Sequence, residues 1–274
     1  MRGRASLVLV LILTILASSV AAFAEEASLR ADELRYDPTF QQIRAKGEVS
    51  LQREGLSFRS DEAEAFLAEG RFRLWGGVTG RWEERNIDIE ASSLRYAEEE
   101  GVEVVADGDV LLRRGDDELY CAHVTWRESG FLHLSGGFSA FSGSRTVEAE
   151  EAVVEGKVFK ILGLKRFEDV EAGFVLHADR IEGRLEGGRV AEATALGGVE
   201  AEFIGADGTP MRLSGSRALY SEARGTLVLS GSTRARQGDR TLEADSLVLH
   251  LASRRIEAVG SPKITFILPD RGTP

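Results

Sequence analysis

The chain has 274 residues, of which 43% are hydrophobic and 29% are charged, and its formal net charge is −11. A protein this acidic is a poor candidate for nucleic-acid binding, which depends on the neutralisation of phosphates by Lys and Arg. Cys121 is the only cysteine, so an internal disulfide is excluded, the fold must be held by core burial, and we expect this thiol to be a small buried residue.

The first 24 residues have the layout of a secretory signal peptide. Arg2 and Arg4 form a basic start, an apolar run begins at Leu7, and Ala22-Phe-Ala24 is a small-any-small cleavage site. Removal of residues 1–24 would leave a chain with a net charge of about −13. The alternative is a retained membrane anchor, because the apolar run is long enough to span a bilayer. Either way, we expect the rest of the chain to be exported.

A short motif recurs along the exported chain and reads small or apolar, any, Gly, any, apolar. Its glycines are 28 to 34 residues apart, except for one blurred copy between Gly136 and Gly197. The copies begin at Ala45, Leu74, Ala106, Leu134, Ala195, Leu229 and Ala258, and their glycines are Gly47, Gly76, Gly108, Gly136, Gly197, Gly231 and Gly260. A fixed period of this size predicts repeated supersecondary units that share one core.

A second motif lies between successive glycines and places Ala-Asp inside an apolar strand pattern. Copies occupy 29–36, 89–96, 176–181 and 242–247. Apolar and polar residues alternate with period two around both motifs, which indicates strands with one dry face. The alternation shifts by one residue at the Ala-Asp step and predicts a bulge or bend there. The pattern predicts an all-β protein of about 16 strands in two facing sheets.

The strand repeat is expected to run through 25–268 and to be followed by a tail at 269–274. The pattern is least regular at 143–173, which predicts either a seam between two tandem modules or a local insertion. No Pro- or Ser-rich linker interrupts the chain, so we favour one continuous domain.

The two motifs together resemble the OstA-like module, the organic-solvent-tolerance N-terminal domain of the Lpt lipopolysaccharide transport system. The resemblance covers about 29–266. It implies an antiparallel β-jellyroll, an elongated twisted sandwich, with lipid A acyl chains between its sheets. It also implies a periplasmic location and edge-to-edge stacking, with other jellyroll modules of the bridge or with a second copy, through strands at 29–36 and 256–267. The soluble bridge protein and its membrane-anchored inner partner both remain open.

The candidate lipid-binding residues are the inward positions of the glycine motif. They are Ala45, Gly47, Val49, Leu51, Leu74, Gly76, Val78, Ala106, Gly108, Val110, Leu112, Leu134, Gly136, Phe138, Gly197, Val199 and Phe203. Small inward residues either leave a groove for an acyl chain or allow two sheets to pack closely. Two arginine clusters, at 71–85 and 234–255, either bind lipid phosphates or form solvated strand faces.

Catalysis is not expected, and neither is a cofactor. The four histidines lack metal-ligand spacing, and the sequence contains neither a Gly-any-Ser-any-Gly elbow nor a phosphate-binding glycine loop. Two rival functions remain. One is a structural β-repeat protein of the envelope that carries no lipid. The other is an exported polysaccharide enzyme, which would require acids, His or Arg gathered in one cleft.

Overall fold

The computed structural model describes residues 27–53, 55–98, 101–205 and 208–267. Within them the chain is almost wholly β-strand, with single 3-10 turns at Leu67–Glu69 and Glu83–Arg85. The strands are β1 (Ala27–Arg30), β2 (Glu33–Asp37), β3 (Gln42–Arg53), β4 (Leu56–Phe66), β5 (Arg71–Trp82), β6 (Ile87–Ala97), β7 (Glu103–Arg114), β8 (Asp117–Arg127), β9 (Phe131–Ser142), β10 (Arg145–Ala149), β11 (Glu151–Glu155), β12 (Val158–Asp169), β13 (Phe174–Glu186), β14 (Arg189–Ile204), β15 (Pro210–Ser221), β16 (Thr226–Gln237), β17 (Arg240–His250), β18 (Arg255–Val259) and β19 (Lys263–Thr265). The predicted signal peptide and tail lie outside the described residues.

Each long strand pairs antiparallel with the strands before and after it along the chain. Three pairs of short strands are the halves of one interrupted strand: β1 with β2 both pair with β3, β10 with β11 both pair with β9 and β12, and β18 with β19 both pair with β17. The nineteen segments of the sheet therefore form sixteen rungs. The predicted all-β antiparallel fold is confirmed.

Glycine-centred bulges bend the long strands near their middle. In β5, Gly76 and Gly77 stand opposite a single residue of β6, Ser92, so the register shifts between Trp75 and Val78. Both glycines have positive φ, +82° and +78°. A left-handed pair of this kind is easily adopted by glycine and bends the strand sharply. The bulge lies on the strand that carries the glycine motif. The one-residue shift of the alternation at the Ala-Asp step of the neighbouring strand results from the same bend.

The bends fold the sheet into two half-sheets that face each other. Half-sheet A contains the short strands β1, β10 and β19, together with the segments of the long strands that pair with them directly or through the ladder. Half-sheet B contains the short strands β2, β11 and β18, together with the remaining segments of the long strands. Phe58 of half-sheet A lies with its ring centroid 6.0 Å from that of Phe72 of half-sheet B. Trp82 and Trp126 meet across the same gap at 5.2 Å. The glycine bends form the closed side of this sandwich, and the opposite side, between the two rows of hairpin turns, is called the mouth.

The irregular stretch at 143–173 contains the interruption between β10 and β11 at Glu150. The ladder runs through it, because β12 pairs with both short strands and then with β13. Gly163 of β12 supplies the blurred glycine copy. The bulge there is displaced, with its register shift between Leu164 and Phe167. Whether the chain counts as one module or two stays a prediction.

The core consists of two groups of buried residues. One extends from Ala45 to Tyr96 and the other from Ile87 to Leu249. The half-buried side chains of Ile89, Val102 and Val104 pack against both groups. None of the helices in the described ranges is long and apolar enough to cross a membrane.

Candidate functional site

A cleft of about 340 Å³ opens between the half-sheets in the C-terminal part of the molecule. It is called the C-terminal cleft. Its walls are apolar and include Phe159, Ile161, Leu227 and Leu249 from half-sheet B and Phe167, Phe174, Leu176 and Phe203 from half-sheet A. Several of these side chains, such as Phe167 and Phe174, are only half-buried although they point inward. The size and lining are those of a small-molecule or acyl-chain site.

Alternation explains why these residues line the cleft. Leu227 and Leu249 occupy inward positions of β16 and β17, where apolar and polar residues alternate, and they are directly paired across the ladder. Phe203 occupies the corresponding inward face of β14 and pairs with Phe174 of β13. Each long strand therefore contributes inward apolar side chains to half-sheet A on one side of its bend and to half-sheet B on the other side.

Arg254 spans the mouth of the C-terminal cleft. Its side chain starts from the turn after β17 and donates hydrogen bonds to the carbonyl oxygens of Ile204 at 2.9 Å and Ala172 at 3.2 Å, which belong to half-sheet A turns. Beside it, Asp169 accepts a hydrogen bond from Arg145 Nε at 2.7 Å, with both side chains buried. Asp169 also caps the following turn by accepting the backbone N–H of Ala172 at 2.9 Å. The mouth therefore has cationic groups above an apolar interior.

A second cleft, of about 530 Å³, opens at the N-terminal end of the sandwich and is called the N-terminal cleft. Its lining includes Leu29, Leu34, Leu51, Phe58, Ala65 and Phe72. Arg53 reaches across the mouth here, and its Nη1 lies 2.5 Å from Glu98 Oε1 and 3.3 Å from the Tyr96 hydroxyl. Both clefts thus have mainly apolar linings and are bridged by an arginine at the mouth.

The structure buries every predicted lipid-binding residue that is not glycine. Leu51 lines the N-terminal cleft and Phe203 the C-terminal cleft. The others pack in the core with at most 5% exposure: Ala45, Val49, Leu74, Val78, Ala106, Val110, Leu112, Leu134, Phe138 and Val199. Inward alternation is therefore the correct signal for burial, but most of these positions lie where the half-sheets are in contact. Their lipid-binding role stays a prediction.

The predicted glycines, Gly47, Gly76, Gly108, Gly136 and Gly197, lie at the bends and do not form an inward row. At Gly76 an added Cβ would come within 2.6 Å of the Asp61 Cβ, and at Gly197 within 2.2 Å of Asp179 Oδ2. The same holds along the ladder for the pairs Gly47–Asp32, Gly108–Ser92, Gly136–Ala122, Gly163–Glu150, Gly231–Ser216 and Gly260–Asp245. The two sequence motifs are therefore the two sides of one corner: the glycine makes room for the side chain of the Ala-Asp step. The alternation on the glycine strand continues through the bend, because the buried residues on its two sides keep the same parity, as at Ala45 and Val49.

Apart from Phe203, the aromatic residues that line the C-terminal cleft were missed by the sequence prediction. Phe159, Phe167, Phe174 and Tyr220 lie outside the glycine motif, toward the strand ends. Alternation could have placed them on the dry face. The search for small residues pointed instead to the bends, where the half-sheets are closest.

The predicted arginine clusters divide between surface ion pairs and the mouth. Surface pairs join Arg71 to Glu69, Arg81 to Asp88, Arg234 to Glu243 and Arg255 to Glu257, while Arg73, Arg236 and Arg240 are exposed. Exposed pairs of this kind contribute little to stability. Arg85 and Arg254 instead turn toward the interior. Burial lowers the pKa of Arg85, although Glu128 and Glu84 oppose this shift.

Cys121 and the four histidines do not line either cleft. Cys121 is buried, and desolvation raises the pKa of its thiol to about 12, so that it stays protonated at neutral pH. Among the described residues, no three His, Cys, Asp or Glu side chains are placed to hold a metal ion. The chemistry available in the two clefts is apolar binding with a cation at the rim.

Comparison with known proteins gives one family and one structure of note. Residues 88–255 match the family described as LptA/(LptD N-terminal domain) LPS transport protein. The crystal structure of LptH, the LptA homologous periplasmic component of the conserved lipopolysaccharide transport device from Pseudomonas aeruginosa, is 15% identical over 66% of this chain and 94% of that chain, with a TM-score of 0.22. A score this low adds nothing to the fold described above. No curated protein matches the chain.

Proposed function

The chain belongs to the family of LptA and LptD N-terminal-domain LPS transport proteins, and from that premise we propose that it is a periplasmic bridge component that carries lipid A acyl chains between its half-sheets. The observation that supports this most is the C-terminal cleft, an apolar space of about 340 Å³ with half-buried aromatic walls. A packed structural sandwich would have filled that space with its own side chains.

Burial of acyl chains supplies enough free energy for binding without directional contacts. Each methylene transferred from water contributes about 0.8 kcal/mol, so that ten methylenes correspond to about 8 kcal/mol before the losses of association. The Phe167, Phe174 and Phe203 rings already expose apolar surface to the cleft. The clefts therefore favour extended hydrocarbon ligands over sugars, which would leave hydroxyl groups unpaired.

The charge at the mouth fits the other end of lipid A. The Arg254 guanidinium is held at the rim by two carbonyl oxygens, and it retains N–H groups in a planar fork that suits phosphate. An amphiphile with its chains in the cleft would place its phosphate near this side chain. A lipid A site is expected to have a cationic group at its mouth and an apolar interior, and the C-terminal cleft has both.

Titration with lipopolysaccharide tests the proposal. We expect the purified chain without residues 1–24 to bind lipopolysaccharide saturably in a calorimetric or fluorescence titration, since each buried methylene contributes about 0.8 kcal/mol. Heat-denatured protein is the control for adsorption to lipid aggregates. Absence of saturable binding would contradict the carrier function and leave a structural β-repeat protein as the better account.

The two ends of the ladder are proposed as stacking edges. Apart from their partners β3 and β17, the strands β1, β2, β18 and β19 have no neighbour among the described strands. Each edge also exposes large apolar side chains: Leu34 and Tyr36 at the first edge, and Val259, Ile264 and Phe266 at the last. Unpaired strand edges recruit further strands, and apolar exposure of this kind is typical of a contact surface. Another jellyroll module, or a second copy of the chain, is the proposed occupant.

Charge on the last edge is expected to abolish stacking. Ile264→Lys places an ammonium group on a side chain that is 60% exposed, and Lys on an edge strand disfavours pairing. Sedimentation velocity at rising concentration should show end-to-end assembly of the wild type and its loss in the variant. Val158→Lys is the control, because Val158 is 54% exposed but lies far from both edges. Equal loss in both variants would indicate that general surface hydrophobicity, and not the edge, drives association.

For this chain, cleavage or retention of the N-terminal segment distinguishes the soluble bridge protein from the membrane-anchored partner. We propose the bridge protein, because Ala22-Phe-Ala24 offers a cleavage site. Mass spectrometry of the chain isolated from its native cell should give an N-terminus at about residue 25. An intact N-terminus would assign the chain to the anchored partner.

A further inference from the structure

The interior of the sandwich is interrupted between its two clefts. The N-terminal cleft reaches Phe58 and Phe72, and the C-terminal cleft begins at Val147 and Phe159. Strands β6 to β9 lie between them and occupy about 19 Å of the stack at a spacing of ~4.8 Å. A continuous trough would have to pass through this middle segment.

The middle segment is closed by well-packed side chains. Leu119, Val124, Leu132 and Leu134 point inward there and are at most 4% exposed. In the C-terminal cleft, Phe159, Ile161 and Leu227 are buried to a similar degree, but the inward side chains of Phe167 and Phe174 are only half-buried. A cavity of about 50 Å³ lies within the segment, where Trp82, Trp126, Leu112 and Val124 help to line it, and this volume is far below the several hundred Å³ of a ligand site.

Three side chains, called the partition, join the half-sheets at this segment: Trp82 at the end of β5, Arg85 in the turn before β6, and Trp126 on β8. The indole rings meet edge to face at 5.2 Å, and Trp126 is only 3% exposed. The Arg85 guanidinium lies 4.3 Å from the Trp82 ring centroid and 4.7 Å from that of Trp126. A cation held between two aromatic faces away from water is a stable arrangement.

We propose that the partition divides the interior into two separate binding compartments, each of which takes the hydrocarbon chain of an anionic amphiphile. This inference rests on the proposed carrier function and adds that the ligand sites are two and independent. Each compartment has its own mouth arginine, Arg53 in the N-terminal cleft and Arg254 in the C-terminal cleft. An anionic headgroup is the complement of a guanidinium, and at Arg53 it would replace the present carboxylate partner, Glu98. Passage of a chain from one compartment to the other requires Trp82 and Trp126 to separate.

Native mass spectrometry with dodecyl phosphate as the probe tests this division. The matched blocking variants are Ala65→Trp and Ala193→Trp, because both alanines lie in half-sheet B and line the N-terminal and C-terminal clefts respectively. Wild type should bind two molecules of probe. Each variant should bind one, with its blocked site weakened at least tenfold and the other site within about twofold of wild type. The double variant should bind none, and Thr79→Trp, at an exposed position, should still bind two.

The outcomes separate this inference from the function on which it rests. If either single variant loses all binding, or if wild type binds one molecule that both variants block, the interior is one continuous trough and the partition is overturned while the carrier function stands. If wild type binds neither dodecyl phosphate nor lipopolysaccharide, the carrier function itself is contradicted. Should a blocking variant fail to fold, Leu34→Trp and Val190→Trp block the same clefts from other strands.

Discussion

Asp169→Ala is expected to destabilise the protein by about 3–5 kcal/mol, the largest effect of any single substitution considered for this chain. Arg145 and Asp169 form an ion pair at 2.7 Å with side-chain exposures of only 8% and 9%. Removal of the carboxylate would leave the guanidinium charge buried without its partner. It would also remove the cap on the backbone N–H of Ala172. Urea unfolding at neutral pH measures the loss.

Two controls distinguish the buried charge from general effects. Glu243→Ala removes an ion pair of the same 2.7 Å length with Arg234, but the side chains are 61% and 41% exposed, so the expected cost is about 0–1 kcal/mol. The double variant Arg145→Met with Asp169→Leu removes both charges and should recover most of the loss. If Asp169→Ala costs no more than Glu243→Ala, the ion pair does not stabilise the irregular stretch.

Gly76→Ala is expected to cost about 3 kcal/mol, and Gly77→Ala only about 1 kcal/mol. Both residues have similar positive φ, so the backbone strain of an alanine is nearly the same at the two positions. An added Cβ at Gly76 would lie 2.6 Å from the Asp61 Cβ, whereas nothing lies within 4 Å of one at Gly77. The difference between the two adjacent variants therefore isolates the corner contact, and chemical denaturation measures it.

A double-mutant cycle identifies the opposing side chain. Asp61→Gly removes the atoms that the new methyl group would overlap, so Gly76→Ala should cost at least about 1 kcal/mol less in that background than in the wild type. Equal costs of Gly76→Ala and Gly77→Ala, or no coupling with Asp61, would show that backbone conformation alone selects glycine at the bends.

The fold could be predicted from the sequence because its physical causes are local and repeated. Alternation around Ala45–Leu51 marks a half-buried strand, and a regular glycine spacing counts the strands. The sixteen rungs follow from that spacing, and the nineteen separate segments arise only because three rungs are interrupted at their bends. The copy of the glycine motif at Gly163 is hard to recognise in the sequence because Leu164 follows the glycine. The bulge of β12 is displaced along the strand and lies between Leu164 and Phe167.

The candidate site was less predictable because it depends on the distance between the half-sheets. The alternation of apolar and polar residues shows that Leu74, Val199 and Phe203 face inward. Of these three, only Phe203 lines a cleft, and the other two pack against the opposite half-sheet. Strand patterns carry no information on that separation. The mouth contacts of Arg254 join residues 50 and 82 positions away, which no local motif relates. Gly76 and Asp61 likewise belong to two motifs whose contact appears only when the strands are paired.

Site-specific photo-crosslinking to lipopolysaccharide tests the central claim, that lipid chains lie between the half-sheets, most directly. Leu227 lines the C-terminal cleft, and Val228 is the next residue along β16 on the outer face. A photoreactive phenylalanine analogue at each position gives a matched pair one residue apart. We predict a lipopolysaccharide adduct at 227 and none above background at 228. Equal adducts at both positions, or an adduct only at 228, would contradict the claim.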